Sequence, residues 1–428
     1  MSVNEFYGVH STLVNDAIAI SSKWRTTMDV NELTHKKLEG LRDGVSRIDL
    51  VAIGKAAREM VRAAEISLGA QVNRRFIVCG EESASIEPFD QDVRTGEHPV
   101  PGSGSLAAGS DLVAFLDANE TADGTIFLVS GGASSLCTLP IEPLELEDLR
   151  ELWDAVVNVG ADITTYNKIR AATSRIAGGA ILRHVRSVWS QSLIMVDNVG
   201  AGAPWVGSAL TYDYAPGARE VASLISALRL EGTALGVKLL KASEFRAQSL
   251  MGDIHVRHEN NVLADSKLLL RNVADHARGS GYKVLDMGSQ VQGDVGAIAR
   301  EWGREVQRFR QFNGRLCIVG TGEVTVEVVG TGRGGRCQEF AWRMAEQLRD
   351  IDRETVFVAS SSDGRDFIEG VGGGWVDTHT FVQSEAQGMN WLDIVRANDS
   401  HRALAALDQL LPGAHTGWNL CDIYLALL

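Results

Sequence analysis

Two hydrophobic periods alternate along the chain. Short apolar runs of strand type, Leu50–Ile53, Phe76–Cys79, Thr125–Val129 and Leu193–Val196, recur through its first half, several ending in a glycine or polar turn. Helix-spaced segments intervene: Ala56, Met60, Ala63 and Ala64 share one face, and Asp111–Leu116 belongs to another helix. The first fifty residues read as helices, with Leu13, Ala17 and Ile20 on one face and Leu33, Lys37 and Leu41 in a second segment. This βαβα rhythm predicts a parallel sheet with helices on both faces. From 212 to 310 the pattern is mostly helical. Asn261–Ala277 reads as an amphipathic helix, Gly281–Leu285 as a strand and Asp294–Phe312 as a long helix. A second α/β unit runs from Arg315: strands 315–319 and 324–329, a glycine turn, a helix Gln338–Leu348 and a strand Thr355–Val358. The expected division is 1–245 and 246–428.

Composition narrows the class of protein. A chain of 428 residues with 45% hydrophobic content can bury a sizeable core, and its 44 glycines favour an α/β enzyme with many tight turns. The formal charge of -14 argues against nucleic acid or an anionic membrane as partner, so any phosphate site is a local basic pocket. Five scattered cysteines form neither a disulfide framework nor a zinc pattern. The first residues lack the basic flank and apolar run of a signal peptide, and no apolar run is long enough to span a bilayer. The expectation is a reduced, soluble, cytoplasmic protein.

Candidate chemistry gathers in turns. Lys55, Ser130–Ser135 and Asp197 each follow a strand, where open α/β sheets bind ligands. Gly330-Thr-Gly332-Arg-Gly-Gly335 fits G-x-G-x-x-G and opens a helix, and Arg333 and Arg336 beside it suit an anion. The strands before it are separated only by Gly320–Glu323, which reads as a hairpin loop. That is the wrong setting for a dinucleotide, so an anion cradle is expected instead. Asp363 and Asp366 share a turn that suits magnesium held through waters, or an ordinary Asx-turn. His98 lies in a proline-bracketed loop. Asn167, Arg170 and Ser174 share a helical face, and Asp399 is placed as a helix cap.

Taken in order, these pieces resemble the glycerate 2-kinase family, whose C-terminal half is the MOFRL domain and whose members are often labelled hydroxypyruvate reductases. Gly54-Lys-Ala-Ala57 with Met60 is similar to its G-K-A-A-x-x-M. Gly96-Glu-His-Pro-Val-Pro101 resembles G-x-H-P-V-P, and Ser130–Leu136 resembles S-G-G-G-S-A-L. Gly330–Glu339 resembles G-x-G-x-G-G-R-N-Q-E, and Asp363-Gly with Asp366 matches T-D-G-x-D-G in part. Asn398-Asp-Ser400 and Thr416–Asp422 resemble the closing N-D-S and T-G-T-N-V-N-D.

The resemblance implies a first α/β domain with a Rossmann-like, mostly parallel sheet, a smaller mixed-sheet MOFRL-type domain, and an active-site cleft between them. It implies transfer of the ATP γ-phosphoryl group to the 2-hydroxyl of D-glycerate or a closely related small hydroxy acid, with Mg2+ or another divalent cation. Carried over by position, Lys55 and Arg336 are the cationic residues, and Asp197 orients or deprotonates the hydroxyl or holds magnesium. Ser130, Gly131, Gly132, Ser134, Gly332, Gly334 and Gly335 fall to the nucleotide, Asn167, Arg170 and His98 to the acid, and Asp363 to the metal. A homodimer is compatible with the family. The chain departs from the family pattern at Ala171-Ala172, where a Lys-His pair is expected, at Ala201-Gly202, where paired acids are expected, and at Cys337. An NAD(P)H-dependent hydroxypyruvate reductase, and a member with altered substrate or lost kinase activity, are the alternatives.

Overall fold

The computed structural model describes residues 11–39, 46–81, 91–118, 122–249, 254–417 and 419–428. The extreme N-terminus and Trp418, both used in the sequence reading, lie outside these residues. The chain forms two compact units, Val30–Ala264 and Asp265–Leu428, the latter joined by the segment Met1–Asp29. The expected division after residue 245 falls within the helix Ala234–Ser249.

The Val30–Ala264 unit holds six strands: β1 (Ile48–Ile53), β2 (Val72–Gly80), β3 (Val93–Gly96), β4 (Gly124–Val129), β5 (Trp189–Met195) and β6 (Arg257–Ala264). All pair in parallel, in the order β3-β2-β1-β4-β5-β6. Every residue of β1 and β4 is buried, as a parallel sheet covered on both faces requires. The expected helices are present as Ala57–Leu68 and Ser103–Asp117. The segment read as a helix from Asn261 begins instead as β6. Asp265 then caps a helix Ser266–Gly279 by accepting from the Leu268 N–H at 2.8 Å.

The second unit holds β7 (Lys283–Asp286), β8 (Val291–Asp294), β9 (Leu316–Thr325), β10 (Val356–Ser361), β11 (Val371–Asp377), β12 (Leu410–Pro412) and β13 (Asp422–Leu427). Its mixed sheet runs β12-β11-β10-β13-β9-β7, with β8 also on β9. The hairpin expected at Gly320–Glu323 is absent, because β9 is one continuous strand through those residues. Its glycines serve close approach rather than a turn: a Cβ on Gly322 would sit 2.1 Å from the Val291 carbonyl oxygen. Residues 326–335 are irregular, and Val328 and Val329 are exposed rather than strand-paired.

The helix Arg336–Leu348 packs Phe340 into a buried aromatic cluster with Trp302, Phe357 and Tyr424, at centroid distances of 6.0, 4.8 and 4.9 Å. Each such ring contributes about 1.5–3 kcal/mol by burial, which fixes where the glycine turn delivers the helix. The five cysteines are buried and free. No helix of the described residues is long and apolar enough to cross a membrane.

Candidate active site

In the parallel sheet the winding reverses between β1 and β4, so the crevice beyond their carboxyl ends is the natural ligand position. The turns after these strands are laced together there. Ser130 N–H donates to Ile53 O at 3.0 Å, Lys55 N–H to Gly131 O at 2.9 Å, and Ala56 N–H to Ser130 Oγ at 3.0 Å. Gly54 is required: its φ is +133°, and a Cβ there would lie 2.6 Å from the Ser130 carbonyl oxygen. This lacing leaves the Lys55 side chain exposed at the rim. Asp197, just beyond β5, lies against Gly131, where a Cβ would meet its Oδ2 at 1.7 Å. Burial pushes the Asp197 carboxyl above the ordinary carboxylate range, and the charge of Lys55 opposes that rise.

The loop carrying His98 is pinned at two points. Glu97 accepts from the N–H groups of Gly104 and Ser105, at 3.1 and 2.9 Å, at the start of the helix Ser103–Asp117. Ser135 Oγ donates to Pro99 O at 2.7 Å. The His98 ring then borders Gly132, 3.1 Å from where a Cβ would stand. Its outer surface is open to solvent, yet the protein packed around the ring, then Lys55 and Arg170, push its pKa down to about 4. The imidazole is therefore neutral at physiological pH.

The helix Ile163–Ala172 starts at Asp162, whose side chain accepts from Thr165 N–H at 2.7 Å. It turns Arg170 inward, 4% exposed, where the guanidinium donates to Ser135 Oγ and Thr138 Oγ1 at 3.3 Å each and lies over Tyr166. No carboxylate pairs with Arg170 among the described residues, and burial lowers its pKa. One turn earlier, Asn167 Oδ1 accepts from Ser208 Oγ at 3.0 Å, and Ser208 Oγ lies 2.7 Å from Ser134 Oγ. Ser174 lies past the helix end and caps Ile176 and Ala177 instead of facing with Asn167 and Arg170. Ala171 and Ala172 are fully buried, so the departure there places no polar group at the rim. At the other departure, Asn198 closes the loop by accepting from Gly202 N–H at 2.7 Å.

The glycine turn of the second unit differs from the expected open cradle. It sits between β9 and β10, which run parallel on either side of β13, so its setting is a crossover and not a hairpin. Four of its amides are already used. Those of Val329 and Gly330 both donate to Asn398 Oδ1 at 2.8 Å, Gly332 to Ala397 O at 2.7 Å, and Arg333 to Asp399 Oδ1 at 3.2 Å. The following helix start is occupied by Asp366, which accepts from Cys337 and Gln338 N–H at 3.1 and 2.8 Å. A Cβ on Gly335 would fall 2.2 Å from that carboxylate. The N–H groups of Cys337 and Gln338 are therefore spent on Asp366.

Arg336 is likewise taken. Its Nε and Nη2 hold the fully buried Asp422 at 2.5 and 3.0 Å, and its Nη1 pairs with Glu323. Burial alone would lower its pKa, but Asp422 and Glu323 more than offset this and keep the guanidinium charged. Arg336, expected as a cationic site residue, is thus bound by two acids of its own unit. Asp363 forms the Asx-turn, its Oδ1 accepting from Ser361 Oγ and Arg365 N–H at 2.8 Å each. Among the described residues no group of three or more His, Cys, Asp or Glu side chains could hold a metal ion.

Glu323, Asp422, Asn398 and Ser208 are the participants that sequence reasoning did not assign. A cavity of about 750 Å³ at the amino end of β2 is lined by Arg74, Arg75 and Arg94. Each is neutralised, Arg74 by Asp49, Arg75 by Glu65 and Asp92, Arg94 by Asp111. It carries no unspent charge, in contrast to Arg170.

Comparison with known proteins agrees with this architecture. The family described as "Domain of unknown function (DUF4147)" matches residues 11–238, and the MOFRL family matches 316–422. The D-glycerate 2-kinase of Thermotoga maritima is 27% identical, over 90% of this chain and 91% of its own. The glycerate 2-kinase of Pyrococcus horikoshii is also 27% identical, over 97% and 96%. A putative hydroxypyruvate reductase of Agrobacterium vitis is 25% identical over 88% and 86%. The crystal structure of a Thermotoga maritima glycerate kinase superposes with a TM-score of 0.86 at 24% identity, covering 97% of this chain and 99% of that one. The chain belongs to the DUF4147 family and carries a MOFRL domain at 316–422.

Proposed function

We propose that the chain is an ATP-dependent kinase that phosphorylates the 2-hydroxyl of D-glycerate or a closely related small hydroxy acid. The observation that carries this reading is Arg170, a buried guanidinium with no acidic partner among the described residues, set under the β1–β4 rim. Unpaired buried cations are costly and call for an anion. The relatives named as glycerate kinases align with both domains and supply the reaction class.

Phosphoryl transfer needs positioning and charge neutralisation more than covalent help. Lys55 offers an exposed ammonium to the transferring oxygens. The N–H groups of Gly132 and Ser134, which have no acceptor among the described residues, add donors beside it. Arg170 attracts the acid's carboxylate by its charge, and neutral His98 donates one hydrogen bond to it. Asp197 takes the hydroxyl proton. Its raised pKa makes it a stronger base than an ordinary carboxylate. Asn167 and Ser208 orient Ser134. Arg336 keeps a structural task. For Mg2+, Asp363 fits as a single ligand, because its Oδ2 has no partner among the described residues while Oδ1 is held in the turn. Bound there, the metal would supply neutralisation of negative charge.

ADP release that requires D-glycerate, ATP and Mg2+ together tests this reading. Silence across a panel of small hydroxy acids sinks it, and NADH oxidation by hydroxypyruvate would replace it with a reductase. Arg170→Met separates recognition from folding. Stability is expected to change by less than about 1 kcal/mol, since no buried carboxylate is left unpaired. The KM for the acid is expected to rise about 10- to 100-fold, as for a charge removed at a few ångströms. An unchanged KM would remove Arg170 from recognition.

A further inference from the structure

Asn167, Ser208 and Ser134 form a hydrogen-bonded chain within the Val30–Ala264 unit, and its proton order is set from one end. The Trp205 carbonyl can only accept, so the atom of Asn167 that faces it at 3.4 Å is the Nδ2 donor. Asn167 Oδ1 is left to accept, and the Ser208 hydroxyl, 3.0 Å away, donates to it. With its one proton spent, Ser208 Oγ accepts the proton of Ser134 across 2.7 Å. The reverse order would press two bare oxygens together between Ser208 and Asn167. Ser208 cannot swing out of the chain. It is 1% exposed, and it and Ala209 hold left-handed φ values of +53° and +58°. Their carbonyl oxygens accept from Gly178 and Gly179 N–H at 3.1 and 2.8 Å, which pins the backbone on both residues.

The consequence falls on Ser134. Its Oγ is half-buried at the turn after β4, and among the described residues Ser208 is its one hydrogen-bond partner. Its proton points inward, so only lone pairs are left for a ligand. The neighbouring Ser135 has also given up its proton, to Pro99 O, but its oxygen already accepts from Arg170. An oxygen without a proton to offer repels phosphate and carboxylate oxygens and attracts an O–H or N–H. Ser134 therefore suits a donor on the ligand rather than the nucleotide phosphates expected there. With the carboxylate of D-glycerate drawn to Arg170 and the hydroxyl of its second carbon reacting, the group still to be placed is the hydroxyl of its third carbon, which is a donor.

We propose that Ser134 Oγ accepts a hydrogen bond from the acid's third-carbon hydroxyl, so that the site selects 2,3-dihydroxy acids over plain 2-hydroxy acids; this rests on the kinase reading above. The test titrates wild type, Ser134→Ala and Ser208→Ala by calorimetry with three acids, and with ADP alongside. D-glycerate carries the hydroxyl, D-lactate lacks it, and tartronate has a carboxylate in its place. Wild type is expected to bind D-glycerate about tenfold more tightly than D-lactate. Ser134→Ala is expected to lose that preference by weakening D-glycerate alone, and to bind tartronate about threefold more tightly because the opposing lone pairs are gone. Ser208→Ala frees the Ser134 proton to turn outward and is expected to tighten tartronate as well. Ser134→Ala shifting the three acids alike, or weakening tartronate, overturns the proposal, as does Ser208→Ala that leaves tartronate unchanged. Weakening of ADP in place of D-glycerate assigns the donor to the nucleotide and also overturns it. Each of these leaves the kinase reading intact where wild type turns over D-glycerate. A wild type that neither binds nor turns over any of the acids overturns both.

Discussion

Replacing Arg336 by alanine is expected to destabilise the Asp265–Leu428 unit by about 3–5 kcal/mol, the cost of leaving a buried charge without its partner. Asp422 is fully buried and held in two contacts by Arg336, while Glu323 pairs with the same guanidinium. Asp366 adds a further negative charge close to Asp422. Without Arg336 these carboxylates repel each other in a low-dielectric interior, beneath a sheet strand and the helix Arg336–Leu348. Loss of turnover in this variant therefore reports unfolding, not chemistry. A denaturation midpoint followed by tryptophan fluorescence checks it, since Trp302 and Trp342 are buried in this unit. A variant that melts like wild type but is catalytically dead would return Arg336 to a direct catalytic role.

Lys55→Ala is expected to do the opposite. The side chain is exposed and no side-chain hydrogen bond or ion pair holds it among the described residues, so stability should stay within about 0.5 kcal/mol of wild type. Turnover should fall about 100- to 1000-fold, the range for removing one preorganised group that stabilises developing charge. Steady-state ADP release at saturating substrates, read beside a thermal melt, separates the two effects. A kcat within tenfold of wild type would remove Lys55 from charge neutralisation.

The difference between these two basic residues marks what the sequence could reveal. Lys55, Ser130–Ser134 and Asp197 were legible because strand and turn periodicity places them at the carboxyl ends of parallel strands, and the observed order β3-β2-β1-β4-β5-β6 puts two of those turns side by side. Arg170 was legible as a position on a helix face. Its burial without a counter-charge is a tertiary property. The partners of Arg336, Glu323 and Asp422, stand 13 and 86 residues away and were not legible. The glycine turn looked like an open cradle because the carboxylate and amide that take up part of its N–H groups, Asp366 and Asn398, lie farther along the chain.

Two fold errors share one physical source. Gly320 and Gly322 gave the local signal of a loop, yet the missing Cβ of Gly322 admits the backbone of Val291, and that of Gly320 the side chains of Val291, Met287 and Trp302, beside a continuous β9. Asn261–Ala264 carried helix-compatible spacing but pairs with β5, and the helix waits for the Asp265 cap. In both places a long-range backbone partner overrode a local pattern.

The most direct test of the central claim is the identity of the product formed from D-glycerate, ATP and Mg2+, read by phosphorus NMR against authentic standards. The account predicts 2-phosphoglycerate and ADP in equal amounts. Phosphate on the 3-hydroxyl, or ADP released without any phosphorylated acid, would contradict it.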